Sequence, residues 1–539
     1  MTKEIRILLN ERNAAFRSGD RALYSAARAN LKRGIKEAKA TYKRKIKDHF
    51  INNDPWQVWR GIQHLTYHKT RRGTAAKGDT SLAEELNCFF ARYEVKAVET
   101  DTKPPPVSHN HILTVQEHEV RHVLRAVNPR KAAGPDGVIG KVLKVCADQL
   151  SVVFTKIFNL SLSKSIIPPC LKSASIIPLP KKTSTSDLSD YRPVTLTLVI
   201  MKCFERQFAY KPNRSTEDAL HTALTHLEHQ GSSVRMLFVD FSSVFNTVIP
   251  HRLVNKLTDL GLSQPICLWI KDFLTDCTQS VRLGLQHSST LKLSTGAPQG
   301  CVLSPILYAL YTYDCVPTHS SNTIVKFVDD MTVVGLISGG DENAYRSEIQ
   351  GLAEFCSGNN LTLNSSKTKE LIIDFRRKGA VPTPLYINVD CVERVPSFRF
   401  LGTHISEDLS WTTNTIAVVK KAQQRLYFLR ILRKNNFQEK LLVSNYCSTT
   451  ESVLTYCIST WYSSCSVAER RALQGVINTA QKIIGCPLPC LDDLFSSLCL
   501  SRAANILKDT FHPGHHLFDL LPSVFHRVEI CTILASASV

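Results

Sequence analysis

Apolar positions along the chain follow two spacings. Between about residues 111 and 406, repeats three and four apart, as in VQEHEVRHVLRAV (115–127) and SVVFTKIFNLSLS (151–163), predict amphipathic helices. Between them lie compact runs rich in β-branched and aromatic residues, which predict strands: SASIIPLP (173–180), VRMLFVDF (234–241), TIVKFVDD (323–330) and KELIIDF (369–375). That mixture predicts an α/β domain. Beyond 406 the spacing is helical again, as in IAVVKKAQQRLYFLRILRK (416–434) and ERRALQGVINTAQKIIGC (469–486). Ahead of the domain, LKRGIKEAKATYKRKIKDHF (31–50) predicts a helix with only a thin apolar stripe. NDPWQVWRGIQHL (53–65) predicts a helix start with Asp54 ahead of Pro55, and TKPPPVSHN (102–110) is a Pro-rich break. The expected organisation is a basic helical region over 1–105, an α/β domain over 106–406 and a helical region over 407–539. No internal repeat is visible.

Charge sharpens this picture. The 539 residues carry 66 Lys plus Arg against 47 Asp plus Glu, a formal net charge of +19, which suits a polyanionic partner such as nucleic acid. Residues 1–50 hold 14 basic against 5 acidic residues. The helix there reads either as a nucleic-acid contact or as a solvated linker. No apolar run approaches the ~20 residues of a membrane helix, so no membrane partner is expected. The 17 cysteines have irregular spacing and no leader peptide precedes them. They read as reduced thiols of an intracellular protein, in cytoplasm or nucleus. Cys486, Cys490, Cys499, His512, His515 and His516 lack the spacing of a compact zinc knuckle and read as core or incidental thiols and imidazoles.

Two strands end in acid. Asp240 closes VRMLFVD, and Asp329 and Asp330 interrupt the apolar run KFVDDMTVV. An adjacent acid pair in a strand-like run is either a solvated hairpin turn or is neutralised by a cation. Mg²⁺ takes one or two carboxylates together with phosphate oxygens and water. Three acids from two strands could therefore hold two such ions, Mn²⁺ being the substitute. Between the acid sites lies STGAPQGCVLSPILYALYT (294–312). Gly296 and Gly300 allow a tight loop and a close approach to a ligand. Gln299 offers donors and an acceptor to a base or backbone. Ser304 and Pro305 are placed as N-cap and first residue of the following helix.

FVDF, TGAPQGCVLSP and FVDD, in that order, resemble the palm motifs of reverse transcriptases, closest to the LINE (non-LTR retrotransposon) type. NPRKAAGPDGV (128–138), SIIPLPKK, DYRPVTL, NLTLNSSKTKELIIDF (360–375) and SFRFLGTHIS (397–406) resemble the accompanying motifs, so the likeness spans about 115–406. It implies a right-hand polymerase: an α/β palm with an antiparallel central sheet, helical fingers and thumb, and a basic helical N-terminal extension. Asp240, Asp329 and Asp330 would be the catalytic metal ligands. Lys181 or Lys182, with Arg192, would hold the triphosphate. Phe245 would lie beneath the sugar and exclude a ribose 2′-hydroxyl, or serve as a core aromatic, or both. Gln299 and Gly300 would line the nucleotide pocket. Lys367 would give a proton to pyrophosphate or is a surface lysine, and Leu401 and Gly402 would place the primer. The partners implied are an RNA template, a DNA primer and dNTPs.

The sequence also departs from that pattern. After VIMKCFERQ the chain runs directly into FAYKPNRSTEDAL, where the family carries roughly twenty more residues, enough for ~30 Å of helix. Val244 stands where Ala is usual, adding two methyls near the nucleotide pocket. An endonuclease domain is not expected in residues 1–105, and the apolar tail LPSVFHRVEICTILASASV reads as truncated or frame-shifted. The alternative to an active polymerase is an inactive relic that retains at most nucleic-acid binding.

Overall fold

A computed structural model describes residues 3–51, 57–62 except 59, 79–94, 113–205 except 130, 131 and 183, 216–224, 233–374, 383–509, and 512, 515 and 518. The helix start at Asp54, the Pro-rich break, the junction after Arg206 and the apolar tail lie outside the described residues. The chain forms two compact units, residues 72–409 and residues 1–71 together with 410–539.

In the second of these units, helix α1 (Lys3–Arg17) folds back on α2 (Arg21–Ile51). Along α2 only Ile46 is fully buried, while Lys32, Arg33, Lys36, Lys39, Arg44 and Lys45 face solvent. The thin stripe is Ile35, Ala38, Tyr42 and Ile46, three to four residues apart, as a helix held along a single line requires.

The other unit contains two sheets. Helix α3 (Thr80–Phe90) begins at Asp79, whose side chain accepts the Ser81 N–H. Helices α4 (Glu117–Arg125) and α5 (Ala147–Lys164) follow. Strand β1 (Ser173–Pro180) pairs antiparallel with β2 (Tyr191–Thr197) and parallel with β4 (Cys277–Leu283). β4 also carries the short strands β5 (Gln286–His287) and β6 (Leu291–Leu293). Ala83, Leu86 and Phe90 of α3 pack with Ile176, Tyr191, Val281 and Leu283, so α3 closes the core of this sheet.

The central sheet is built around β3 (Ser233–Val239), which pairs antiparallel on one edge with β8 (Asp330–Ile337) and on the other with β9 (Lys369–Asp374). β7 (Asn322–Phe327) forms a hairpin with β8, and the two-residue strand Glu393–Arg394 joins β9 in parallel. All seven residues of β3 are buried, which explains its near-continuous apolar sequence. Leu237 and Val239 face a core shared with α6 (Pro250–Asp259), α7 (Gln264–Leu274), α8 (Ser304–Tyr311) and α9 (Asn343–Gly358). Phe238, on the opposite face, stacks on Phe398 with ring centroids 3.9 Å apart. Phe398 belongs to a hairpin of two strands, Ser397–Phe400 and Thr403–Ser406, turned at Leu401 and Gly402.

One β3 residue is charged. Arg235 is 1 % exposed and meets Glu370, which is fully buried, at 3.3 Å. It also pairs with Glu342, and Arg394 reaches the second Glu370 oxygen at 3.1 Å. The Tyr345 hydroxyl donates to Glu370 as well. Burial works to raise the Glu342 carboxyl, yet bonds from Arg346, Arg235 and Thr383 hold it below its ordinary value. The charges are tolerated because every member is paired.

The helical pattern beyond 406 appears as Thr412–Lys434, Glu439–Tyr446, Val467–Ile484 and Leu491–Lys508. Cys490 caps the last of these through a 3.4 Å bond from the Asp493 N–H to its sulfur. Every cysteine among the described residues is a free thiol. No described helix is long and apolar enough to cross a membrane.

Arg235→Met leaves Glu370 buried with fewer partners. It should destabilise the protein by about 3 kcal/mol in urea unfolding. A loss below about 1 kcal/mol, typical of exposed pairs, would show that the network does not hold the sheet.

Candidate active site

The three acids come together because β3 pairs with β8. Val239, the last residue of β3, lies opposite Met331, so Asp240 leaves the sheet beside the start of β8. β7 and β8 pair up to Phe327↔Asp330, leaving Val328 and Asp329 as a two-residue turn. Val328 has φ 56°, a left-handed conformation that is costly for a β-branched residue. Pairing on both sides of the turn holds it there and projects Asp329 and Asp330 from the sheet end.

Asp240 is strapped from the other side. Its N–H donates to the Thr368 hydroxyl at 3.2 Å and its carbonyl accepts the Asn364 N–H at 2.8 Å. Ser242 N–H bonds to Thr362 O at 2.9 Å, and Phe241 bridges to Leu363. The segment 362–368 therefore fixes where Asp240 points. Its Asn-Ser-Ser-Lys-Thr composition signals a turn, but sequence reasoning gave Asn364 and Thr368 no role.

The acids perturb one another. Partial burial raises the Asp240 carboxyl; Lys367 and Asn364 pull it down, while Asp329 pushes it up. Asp330 is raised by burial, then by Asp329 and Asp240. The Asp240 Oδ2 atom is shut off from solvent, accepts no hydrogen bond, and lies 3.8 Å from the Lys367 Nζ. Among the described residues no three His, Cys, Asp or Glu side chains converge closely enough to hold a metal by themselves. A cation held here would have to bring further ligands of its own, such as phosphate oxygens or water.

The cationic residues divide. Burial lowers the Lys181 ammonium, and so does repulsion from Lys367 and Arg192, against the opposing pull of Asp190 and Asp240. Lys181, Arg192 and Lys367 therefore share one field with Asp240. Arg192 reaches it from β2, opposite Leu179. Lys182 turns instead to Asp190, 2.7 Å away.

The Gly-rich loop lies against the turn that carries Phe245. Phe245 sits in the 3-10 turn Val244–Asn246, half-buried, with its ring 5.8 Å from that of Tyr308. Its carbonyl accepts the Ala297 N–H at 2.6 Å. A Cβ on Gly296 would stand 2.9 Å from Asn246 Cα, so only glycine allows this approach. Gly300, at φ 99°, sits where a Cβ would press within 3.3 Å of the Thr195 carbonyl. Gln299 borders the groove between this loop and α3. Val244 is accommodated at 5 % exposure in the main core. Ser304 does not cap α8: Leu303 holds that position, and the Ser304 hydroxyl donates to Pro298 O at 2.8 Å, tying the loop to the helix start. Leu401 and Gly402, at φ 45° and 94°, turn the hairpin that packs on Phe238.

A sheet that ends in coupled acids, facing cations and a Gly-rich loop, has the form of a polymerase palm. Residues 179–405 match the family described as reverse transcriptase (RNA-dependent DNA polymerase). A second match, over residues 411–452, is to the family described as alkylated DNA repair protein alkB homolog 8, N-terminal. The chain is 22 % identical to the probable RNA-directed DNA polymerase from transposon BS of Drosophila melanogaster, over 90 % of this chain and 61 % of that protein. It is 25 % identical to the probable RNA-directed DNA polymerase from transposon X-element and 24 % identical to the RNA-directed DNA polymerase from mobile element jockey, both of Drosophila melanogaster. Each of these two alignments covers 68 % of this chain and 44 % of the relative. The chain thus spans about half the length of these curated relatives.

Because the folded site holds the Asp240 and Asp330 protons more tightly than an unfolded chain does, these groups favour folding at low pH. That contribution is lost as pH rises through their raised folded values. A divalent cation should replace the protons. Added Mg²⁺ should therefore raise the thermal midpoint more near about pH 7.5 than near about pH 5, and Asp329→Asn with Asp330→Asn should remove the gain. Equal gains at both pH values would place the cation elsewhere.

Proposed function

We propose that this chain is an RNA-directed DNA polymerase of the non-LTR retrotransposon type, extending the 3′-hydroxyl of a DNA primer with dNTPs on an RNA template. The supporting observation is the opposition of two charge sets at one sheet end: Asp240, Asp329 and Asp330 against Lys181, Arg192 and Lys367. Such an arrangement suits phosphoryl transfer, in which positioning and charge neutralisation carry most of the catalysis.

Lys181 and Arg192 bind oxygens of the incoming triphosphate; Lys182, already held by Asp190, contributes little. Lys367 Nζ, beside Asp240, is placed to give a proton to the leaving pyrophosphate. Asp240, Asp329 and Asp330 would hold two divalent ions, Mg²⁺ or Mn²⁺, which lower the cost of charge developing on the attacking and leaving oxygens. The Phe245 ring stands beneath the sugar and crowds a 2′-hydroxyl. Gln299 and Gly300 line the nucleotide pocket, and the hairpin at Leu401 and Gly402 guides the primer. In this reading β1, β2 and α3–α5 act as fingers, the central sheet as palm and the helices beyond 410 as thumb. The exposed basic face of α2 contacts nucleic-acid backbone. The site of action is intracellular, in cytoplasm or nucleus.

Primer extension by the purified chain with RNA template, DNA primer, dNTPs and Mg²⁺ tests this reading. Replacing Asp329 and Asp330 by Ala should lower incorporation by at least about 10²-fold with RNA binding retained. A folded wild-type chain that binds RNA but makes no product would instead identify an inactive relic. Phe245→Ala should raise relative incorporation of rNTPs by roughly 10–200-fold. An unchanged sugar preference would make Phe245 a core aromatic only.

A further inference from the structure

Residues 80–94 precede the segment matched by the reverse transcriptase family, yet they are built into the same unit. Beyond its buried apolar face, α3 makes two polar attachments to the β5–β6 connection. Glu84 accepts the Ser289 N–H at 2.5 Å and its hydroxyl at 2.7 Å. Asn87, fully buried, donates to Ser289 O at 2.9 Å and accepts from Gln279 at 3.0 Å. These hold the helix.

Past the helix end the contacts change character. The Glu94 carboxylate accepts the N–H groups of Ser294 and Thr295, at 2.8 and 3.1 Å. These are the two residues that lead into Gly296. Meanwhile the Asn246 side-chain amide donates to the carbonyl of Phe90 at 3.2 Å. Asn246 adjoins Phe245, and the Gly-rich loop bonds to the same turn through Gly296 N–H to Val248 O at 2.7 Å and Ala297 N–H to Phe245 O. The end of α3 therefore grips both walls of one groove, lined by Phe90, Tyr93, Glu94, Asn246, Thr295 and Gln299. One wall carries Asn246, next to Phe245, and the other Gln299.

We propose that Glu94 is a positioning residue for the nucleotide pocket, one that sets the spacing between the Gly296–Gly300 loop and the Phe245 turn and so governs nucleotide affinity and sugar discrimination. This rests on the polymerase reading above. A carboxylate that receives two N–H bonds is a rigid clamp, since each charge-assisted bond restricts the other. Glu94→Gln keeps the size of the side chain but turns one acceptor into a donor that opposes an N–H. The loop entry then loses one of its two bonds, and the pocket loosens. Small displacements of this kind act on reactivity out of proportion to the energy they cost in folding.

The test is single-nucleotide incorporation on an RNA template and DNA primer by the full chain, with dATP and ATP compared, for wild type, Glu94→Gln and Glu84→Gln. Glu84 makes the same kind of bond from the same helix, but to Ser289 and not to the loop. Glu94→Gln should raise KM for dATP about tenfold while kcat changes much less, and should lower the preference for dATP over ATP. Glu84→Gln should leave KM and preference near wild type. Should Glu94→Gln lower the thermal midpoint more than Glu84→Gln does, Glu94→Asp, which keeps the charge and shortens the reach, should show an intermediate KM. Unchanged KM and preference in Glu94→Gln overturn the inference. So does a fall in kcat shared by both Gln variants in step with their midpoints, which would mark Glu94 as structural. An inactive wild type overturns the polymerase reading, and the inference falls with it.

Discussion

Pairing of β3 on both edges is the constraint on which the rest of this unit depends. β8 and β9 hold its backbone, α-helical core fills one face and Phe398 stacks on the other. A strand so enclosed has no freedom to slip, because a one-residue shift would exchange its two faces. Asp240 thus leaves the sheet at a fixed height relative to the β7–β8 turn. The strain at Val328 and the mutual repulsion of the acids are sustained by this scaffold, since neither is favourable on its own.

The same strand carries charge at both ends, with opposite outcomes. Near its start, Arg235 is enclosed by Glu342, Glu370 and Tyr345, and the charges cancel within the protein. Past its end, burial and neighbouring acids raise the Asp240 and Asp330 carboxyls, although Lys367 lies 3.8 Å from Asp240. The first arrangement holds the sheet together. The second is compensated only in part, by Lys367 at 3.8 Å and by the field of Lys181. A cluster of perturbed acids at a sheet end is the kind of place where ligand chemistry is expected.

Much of this was legible in the sequence, for reasons that are local. The compact runs rich in β-branched and aromatic residues mark β1, β3, β7 and β9 because burial acts on each residue where it stands. Asp240, Asp329 and Asp330 announce themselves as charges at the ends of apolar strands. Gly296 and Gly300 announce a close backbone approach, and each has a neighbour that a Cβ would press upon. The helical spacing beyond 406 likewise became helices.

The tertiary structure decided what no local pattern encodes. Lys181 and Lys182 are equivalent as adjacent residues, but the fold pairs Lys182 with Asp190 and ties Lys181 to the Ser189 carbonyl at 2.8 Å, within the field of Asp240. Ser304 has the sequence of a cap, but the nearness of the Pro298 carbonyl gives its hydroxyl another partner. Thr368 meets Asp240 from 128 residues away, and Glu94 meets Ser294 from 200. The sequence by itself determined which segments become strands and helices and which residues carry charge, because those depend on side-chain chemistry and spacing along the chain. Which charges share a field, and which loop each polar side chain holds, follows from through-space proximity that exists only after β3 has been enclosed.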